Sequence, residues 1–495
     1  MPDPFKSPEQ SLVPVVYENV EESYLRERTL QKSAGWILLW ALGVGAVISG
    51  DFSGWNFGLA QGGFLGLTIA TLLMATMYVC LVFSIAELSA ALPHAGGFYS
   101  FVRNALGPTW GYVCGVTDTI EYVLTPAAVV YFIGGYLSAL VPAVKPWIWW
   151  LAFYAIFVGV NVRGASLTLK LGLLITVVAV AVLVVFFAAA MLSGQLAWDK
   201  LWNISPQPGH EGSVLPGGWF GVFAALPFAT WFYLSIEQLP LAAEETHDVV
   251  RDMPRALILG IATLLVLSLF TLVLNTGVGG GAATLQTSDA PLNEGFKAIF
   301  GPGAITSTLT VLALTGLVAS FHTIVYAYGR VLFALSRAGY FPRWISVTSR
   351  WHTPHRALLL GAGVGLGCTW ILSELGSSSS LGAALLNMAV GGAVVSYALV
   401  LVSFITLRIR RPGLPRPYRS PLGVPGAALG AALSGLVLAA CFAVKDYRLA
   451  MWGVGIFVAV ALLYFALYSR KRLVAQAPEE EAALIQQVES PFSQK

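Results

Sequence analysis

Twelve long apolar runs constrain this chain more than any other feature, because about twenty apolar residues are what a helix needs to cross a hydrocarbon core about 30 Å thick. They fall near 36–61, 64–90, 111–141, 147–162, 166–192, 218–242, 255–278, 303–336, 356–373, 381–407, 424–443 and 449–469. Their hydrophobicity is continuous rather than alternating, which selects helices over the strands of a membrane barrel. With 57% hydrophobic and 11% charged residues among 495, the chain is too apolar for any soluble class. The expected fold is an all-α membrane protein with twelve transmembrane helices forming one domain, 35–470, between an N-terminal segment, 1–34, and a C-terminal tail, 471–495.

Residues 1–34 are polar and hold no apolar core followed by a cleavage site, so no signal peptide is expected and the first helix serves as the targeting signal. If the N-terminus is cytoplasmic, only Lys145, Lys200, Lys297, Lys445 and Arg448 of the 28 Lys and Arg residues fall on the far side. The positive-inside rule then places both termini in the cytoplasm, and the inner (plasma) membrane is the expected location. The net charge of +3 follows from that topology and calls for no nucleic-acid partner. Cys80, Cys114, Cys368 and Cys441 all lie within apolar runs, as small packing residues do. No disulfide framework, metal site or cofactor is expected, and the charged tail from 470 reads as mobile.

Two of the runs are poor continuous helices. Leu42 to Gln61 reads LGVGAVISGDFSGWNFGLAQ, and each of its interior glycines, Gly43, Gly45, Gly50, Gly54 and Gly58, costs a helix about 1 kcal/mol relative to alanine. It also carries Asp51 about halfway across, an insertion cost of at least roughly 2.5 to 3.5 kcal/mol. In the sixth run Pro227 and Pro240 flank Thr230 to Gln238, with Glu237 in or beside the stretch expected to unwind. Broken helices bearing buried acids mark a binding site near the bilayer midplane. The two run in opposite directions and stand five helices apart, which is the pattern of a 5+5 inverted repeat: about 35–192 against about 218–408, with the helices of 424–469 appended. The plainer alternative is that the glycines pack against a neighbour, Asp51 pairs with a buried base and the prolines only bend the sixth helix.

Other acids add to this pattern. Asp118 and Glu121 share one face of the third helix, about 10 and 15 Å into the membrane. They cannot both be ionised without partners, so one holds a proton, a cation is supplied, or the pair shares a proton with Tyr122 or a backbone carbonyl. Glu87 sits near the inner interface, either in a transport role or as a partner for Arg103 or a loop amide. His322 is either a packing residue or a proton relay, and the loop 279–302 reads as an outer lid. Every Lys and Arg lies in a loop or near a helix end, so Asp51, Glu121, Glu237 and the somewhat lower Asp118 leave the membrane core with fixed negative charge. That imbalance must be met by protons, a metal cation or a cationic substrate. Trp55, Phe228, Trp231, Phe232 and Tyr233, near the breaks, either pack or offer π faces to an ammonium.

At these residues the chain resembles the amino acid/polyamine/organocation transporter superfamily over essentially all twelve helices. The motifs are GVGAVISGDF at 43–52, AELSAALPHAGGFYSF at 86–101, NVRG at 161–164, AAEETHD at 242–248 followed by Pro254, and SRAGYFP at 336–342. Within it, ISGDFSGWNFG, DTIEYVLTPA and SIEQLPLAAEE are similar to the bacterial ethanolamine permeases. The resemblance implies a LeuT-like fold and a secondary transporter working by alternating access. Amino-acid carriers of the superfamily hold the substrate carboxylate on backbone amides of a Gly-Ser/Ala-Gly-Ile/Val break. Here Ser49, Gly50 and Asp51 stand there, and Asp51 repels a carboxylate. Ala179 stands where some relatives carry a lysine at the sodium position, and Arg337-Ala338-Gly339 replaces the usual Arg-Asp-Gly.

The expected function is therefore proton-linked import of ethanolamine or a similar small cationic amine, rather than enzyme chemistry, since no nucleophile, base and orienting group converge in any motif. Asp51, Glu121 and Glu237 are expected to hold the ammonium. Ser49, Gly50, Ser53 and exposed backbone of the breaks would take the hydroxyl, with Trp231 and Tyr233 as cover and Asp118 and Glu121 as proton-coupling candidates. A polyamine or basic amino-acid carrier, whose second amine Asp118 would serve, and a transporter-like amine sensor are the alternatives.

Overall fold

The computed structural model of the protein describes residues 14–480 apart from 95, 211, 376 and 377, so part of the expected N-terminal segment and the tail beyond 480 lie outside the described residues. Each of the twelve apolar runs falls on helix. After β1 (Tyr17–Glu18) and the short α1 (Glu22–Arg26), the first run becomes α2 (Trp36–Val47), α3 (Ser49–Phe52) and the start of α4 (Phe57–Ala91), which bends at Gly63 and carries the second run. The amphipathic α5 (Gly97–Leu106) precedes α6 (Pro108–Leu140), α7 (Pro146–Val162) and α8 (Ala165–Leu192). The sixth run forms α9 (Gly218–Thr230) and, after an irregular stretch, a 3-10 segment over Ile236–Glu245. Then α10 (Val249–Phe270) passes into a π-helical turn, Thr271–Asn275. The short α11 (Gly281–Leu285) and α12 (Pro291–Phe300) form the 279–302 loop ahead of α13 (Ala304–Arg337), α14 (His355–Leu375), α15 (Ser378–Arg410), α16 (Gly423–Ala443), α17 (Arg448–Leu467) and β2 (Leu473–Val474).

Among the described residues eight helices are long and apolar enough to cross a membrane, and three shorter apolar helices, Trp36–Phe52, Pro146–Val162 and Gly218–Thr230, accompany them. Leu174, Leu192, Leu359, Ile456 and Leu463 are exposed on these helices, an outward apolar surface suited to lipid rather than water. Inside, α6 packs on α13 and α15, α4 packs on α9, and α2 lies between α8, α10 and α13. The first interrupted helix also packs on the 3-10 segment of the second, Ile236–Glu245. His322 is a satisfied packing residue, its Nε2 2.9 Å from the Thr168 carbonyl and its Nδ1 3.3 Å from Asn161 Nδ2. Cys80, Cys114 and Cys441 are buried and Cys368 half-buried, all as free thiols.

The face that carries the chain ends differs from expectation. Residues 470–480 are folded onto the helices: β2 pairs in parallel with β1, and Val474 N–H donates to the Ala338 carbonyl at 3.0 Å. Arg103, nearly buried at the end of α5, meets Glu480 at 2.6 Å, and Arg337 sits between Glu244 and Glu479. A guanidinium deprived of water needs an acid, and the tail supplies two. Glu87 is likewise a structural partner, held by Arg408 at 2.5 Å, Arg416 at 3.1 Å and the Ser420 amide at 2.7 Å. The loop-amide expectation for Glu87 holds, but its base comes from the 408–421 connector and not from Arg103.

Candidate functional site

The first break is built by side chains that enter from other helices. Ser320 of α13 inserts into the ladder of the first helix: its Oγ donates to the Gly45 carbonyl at 2.9 Å and accepts from the Ser49 amide at 3.0 Å, replacing the bond those two groups would make directly. Four residues later the chain leaves helical geometry at Ser53 and turns through Gly54, whose φ of 95° suits glycine. The groups this frees are taken up within the protein. Tyr136 donates to the Phe52 carbonyl at 2.9 Å, Trp231 Nε1 to the Ser53 carbonyl at 3.0 Å, and the Gly54 amide to Asn56 Oδ1 at 3.2 Å.

The second break follows α9 at Trp231 and runs to Ser235, which adopts a left-handed conformation with φ 81°. Pro227 and Pro240 bracket it, as the sequence implies, because each removes an amide donor from the helix. The breaks touch directly: a Cβ on Gly50 would stand 2.5 Å from the Trp231 carbonyl, so only glycine allows this approach. Trp55 stacks on Phe232 with ring centroids 5.5 Å apart. The loop of α11 and α12 caps the junction, where Ser53 Oγ donates to the Asp289 carbonyl at 2.8 Å and Asn56 Nδ2 to the Leu285 and Ser288 carbonyls at 2.6 and 2.8 Å.

The acids fall into two groups. Asp51 is wholly buried at the junction, and neither of its oxygens has a hydrogen bond or a basic partner among the described residues. It faces Thr271 on the π-helical turn and lies near Tyr233, whose hydroxyl is 2.8 Å from Ser268 Oγ. Glu121, Glu237 and Asp118 form the other group. Ser235 Oγ donates to Glu121 at 3.0 Å, the Ser235 amide donates to Glu237 at 3.0 Å, and Tyr397, itself 3.0 Å from the Tyr78 hydroxyl, donates to Glu237. Ser235 thus bridges Glu121 and Glu237, and Asp118 lies one helical turn before Glu121 on α6. One oxygen of each glutamate is left without a hydrogen bond among the described residues.

The structure therefore brings Glu121, Glu237 and Asp118 together and sets Asp51 among different neighbours. Ser49 and Gly50 line the junction. Ser53 and Trp231 spend their side-chain polar atoms tying the breaks and the lid together, and the Phe52 and Ser53 carbonyls are occupied rather than open. Ala179 is buried, while Thr176, one turn earlier, donates to the Ala41 carbonyl at 3.2 Å and abuts Gly45. Ser235, Tyr397, Ser320 and Thr271 escaped the sequence reading, since a serine or threonine in an apolar run carries no mark of what it faces. The one available signal was the polar stripe Ser268, Thr271 and Asn275 along an otherwise apolar helix.

A sequence profile of amino acid permeases matches residues 35–468. The branched-chain amino acid permease BcaP of Bacillus subtilis (strain 168) is 26% identical over 483 residues, 90% of this chain and 94% of its own length. An uncharacterized transporter of Rhizobium meliloti (strain 1021) is 27% identical over 339 residues, 65% of this chain and 69% of its own. The aromatic amino acid transport protein AroP of Escherichia coli O6:H1 is 23% identical over 383 residues, 75% of this chain and 80% of its own. The profile spans both broken helices and the acids between them. A multi-pass membrane transporter rather than an enzyme is thus in hand, and the chain belongs to the amino acid permease family.

Proposed function

We propose that this permease carries ethanolamine, or a small cationic amine that likewise lacks a carboxylate, by alternating access across the inner (plasma) membrane. The observation that carries the proposal is Asp51: a wholly buried carboxyl at the meeting of both breaks, with no hydrogen bond and no base among the described residues. A charge so placed calls for a mobile cation, and an ammonium meets that need in a dry site. The same charge disfavours the carboxylate borne by branched-chain and aromatic amino acids, whose transport the names of two relatives state.

In this proposal the chain crosses the membrane twelve times, with repeat one near 35–192, repeat two near 218–408, helices 424–469 appended, and both 1–34 and the tail 471–495 cytoplasmic. Uptake is proton-linked. The bridging of Glu121 and Glu237 by Ser235 within the second break, with no base on either acid among the described residues, supports a coupling role for that pair, with Asp118 beside it. The same acids also favour a second reading, a polyamine or basic amino-acid permease whose second cation they would hold. Radiolabelled ethanolamine uptake into proteoliposomes, with and without a pH gradient, tests both. Ethanolamine and ethylamine are expected to compete for uptake far better than serine, while a diamine should win under the second reading. Equal competition by serine would overturn the amine assignment.

A further inference from the structure

Threonines on the long helices of this protein habitually return their hydroxyls to the carbonyl four residues back: Thr119 to Gly115 at 2.7 Å, Thr125 to Glu121 at 2.7 Å, Thr230 to Leu226 at 2.9 Å and Thr323 to Ala319 at 2.8 Å. Thr271 and Thr276 do not. Both are wholly buried with their hydroxyls unpartnered, and between them Asn275, equally buried, has neither its amide nitrogen nor its oxygen hydrogen-bonded. Thr271–Asn275 is a π-helical turn at the end of an otherwise α-helical span, the kind of irregularity that recurs at functional sites. Leaving three polar atoms dry on this turn and a fourth on Thr276 just after it is costly unless something visits them.

The turn is also well placed. Thr271 faces the Asp51 carboxyl, and Asn275 Oδ1 lies 2.7 Å from where a Cβ on Gly295 of α12 would stand, so the polar stripe runs from the buried acid to the lid. Ser53, the residue expected to read a hydroxyl, already spends its Oγ on the Asp289 carbonyl.

We infer that the π-helical turn Thr271–Asn275 is a second, uncharged subsite of the buried acid site, taking the hydroxyl of a ligand whose ammonium Asp51 holds. An alcohol both donates and accepts, as do the threonine hydroxyl and the asparagine amide, and a two-carbon amino alcohol presents its two ends to adjacent residues. The inference rests on the amine reading of Asp51, and its test separates the two. Calorimetric titration of the purified protein with ethanolamine and with ethylamine, which has the same cation and no hydroxyl, reads the subsite as a ratio of affinities.

The wild type is expected to prefer ethanolamine by about tenfold or more. Thr271→Val should lower ethanolamine affinity by a similar factor and leave ethylamine within about twofold, so that the preference collapses, while Thr271→Ser retains it. Asn275→Leu should shift the ratio in the same direction, which guards against a single misfolded variant. An unchanged ratio in both Thr271→Val and Asn275→Leu overturns the subsite. Equal binding of the two amines by the wild type overturns the subsite and leaves Asp51 as the ammonium site, whereas binding of neither overturns the amine reading and the subsite with it.

Discussion

Two regions of this molecule bury acids, and they treat them in opposite ways. On the face holding the chain ends, Glu245 meets Arg330 at 2.8 Å with both side chains wholly buried, Glu480 meets Arg103, Arg337 is shared by Glu244 and Glu479, and Glu87 holds Arg408 and Arg416. At the helix breaks, Asp51 has no base and only the Thr271 side chain facing it, while Glu121 and Glu237 have only hydroxyls and an amide. Fixed pairs hold an arrangement together, because removing one partner strands the other in a dry site. Unpaired acids do the reverse. They leave room for a charge that comes and goes, which is what a carrier of cations requires.

The largest test of this contrast is Glu245→Gln, which leaves the Arg330 charge without a counter-charge and one acceptor oxygen where Arg330 and Tyr326 now use two. Stability should fall by about 3–5 kcal/mol, seen as a lower unfolding temperature in detergent. Wild-type melting would mean that the pairing does not support this face.

Asp51→Asn should behave oppositely. It removes a stranded charge, so the melting temperature should hold or rise, while ethanolamine affinity falls by at least about a hundredfold, on the order of 3 kcal/mol. Calorimetry and counterflow uptake on the same variant sharpen the outcome. Intact binding with failed gradient-driven accumulation would move the ammonium to Glu121 and Glu237.

Glu121→Gln removes a titratable group from the pair bridged by Ser235 and keeps the volume. Uptake should lose its pH dependence, which for one coupled proton amounts to about tenfold per pH unit at most. A pH profile matching the wild type would remove Glu121 from coupling.

The smallest effect concerns Glu479, whose carboxyl is pushed up to about 7 by burial and by the neighbouring Glu244, against the pull of Arg337. The docked tail thus binds this proton more tightly than a free tail does. Docking is accordingly strongest at acid pH, weakens as pH rises from the ordinary carboxylate range to about 7, and is level above that. Nearby His94, held neutral by burial down to about 4, gives the opposite slope on the acid side, so the informative quantity is the difference between wild type and Glu479→Gln. Limited proteolysis of the tail should become easier between pH 5 and 7.5 in the wild type relative to the variant. Parallel curves would show that Glu479 docks without titrating.

Much of this was written locally in the chain. The helical runs, the glycine-rich and proline-flanked breaks and the unbalanced acids are properties of composition and spacing, and a bilayer punishes any departure from them strongly enough to make them legible. The resemblance carried by the break and loop motifs reached the family for the same reason. Partnership was not legible. That Ser320 splits the first helix, that Asp51 stands apart from the Glu121 and Glu237 pair, that Thr271 on a π-helical turn is unbonded, and that the tail supplies acids for Arg103 and Arg337 all depend on groups brought together from distant parts of the chain. Whether a buried polar atom is satisfied is decided by what packs against it, so the sequence alone determined which residues carry charge into the membrane, and only the tertiary structure decided which of those charges are answered.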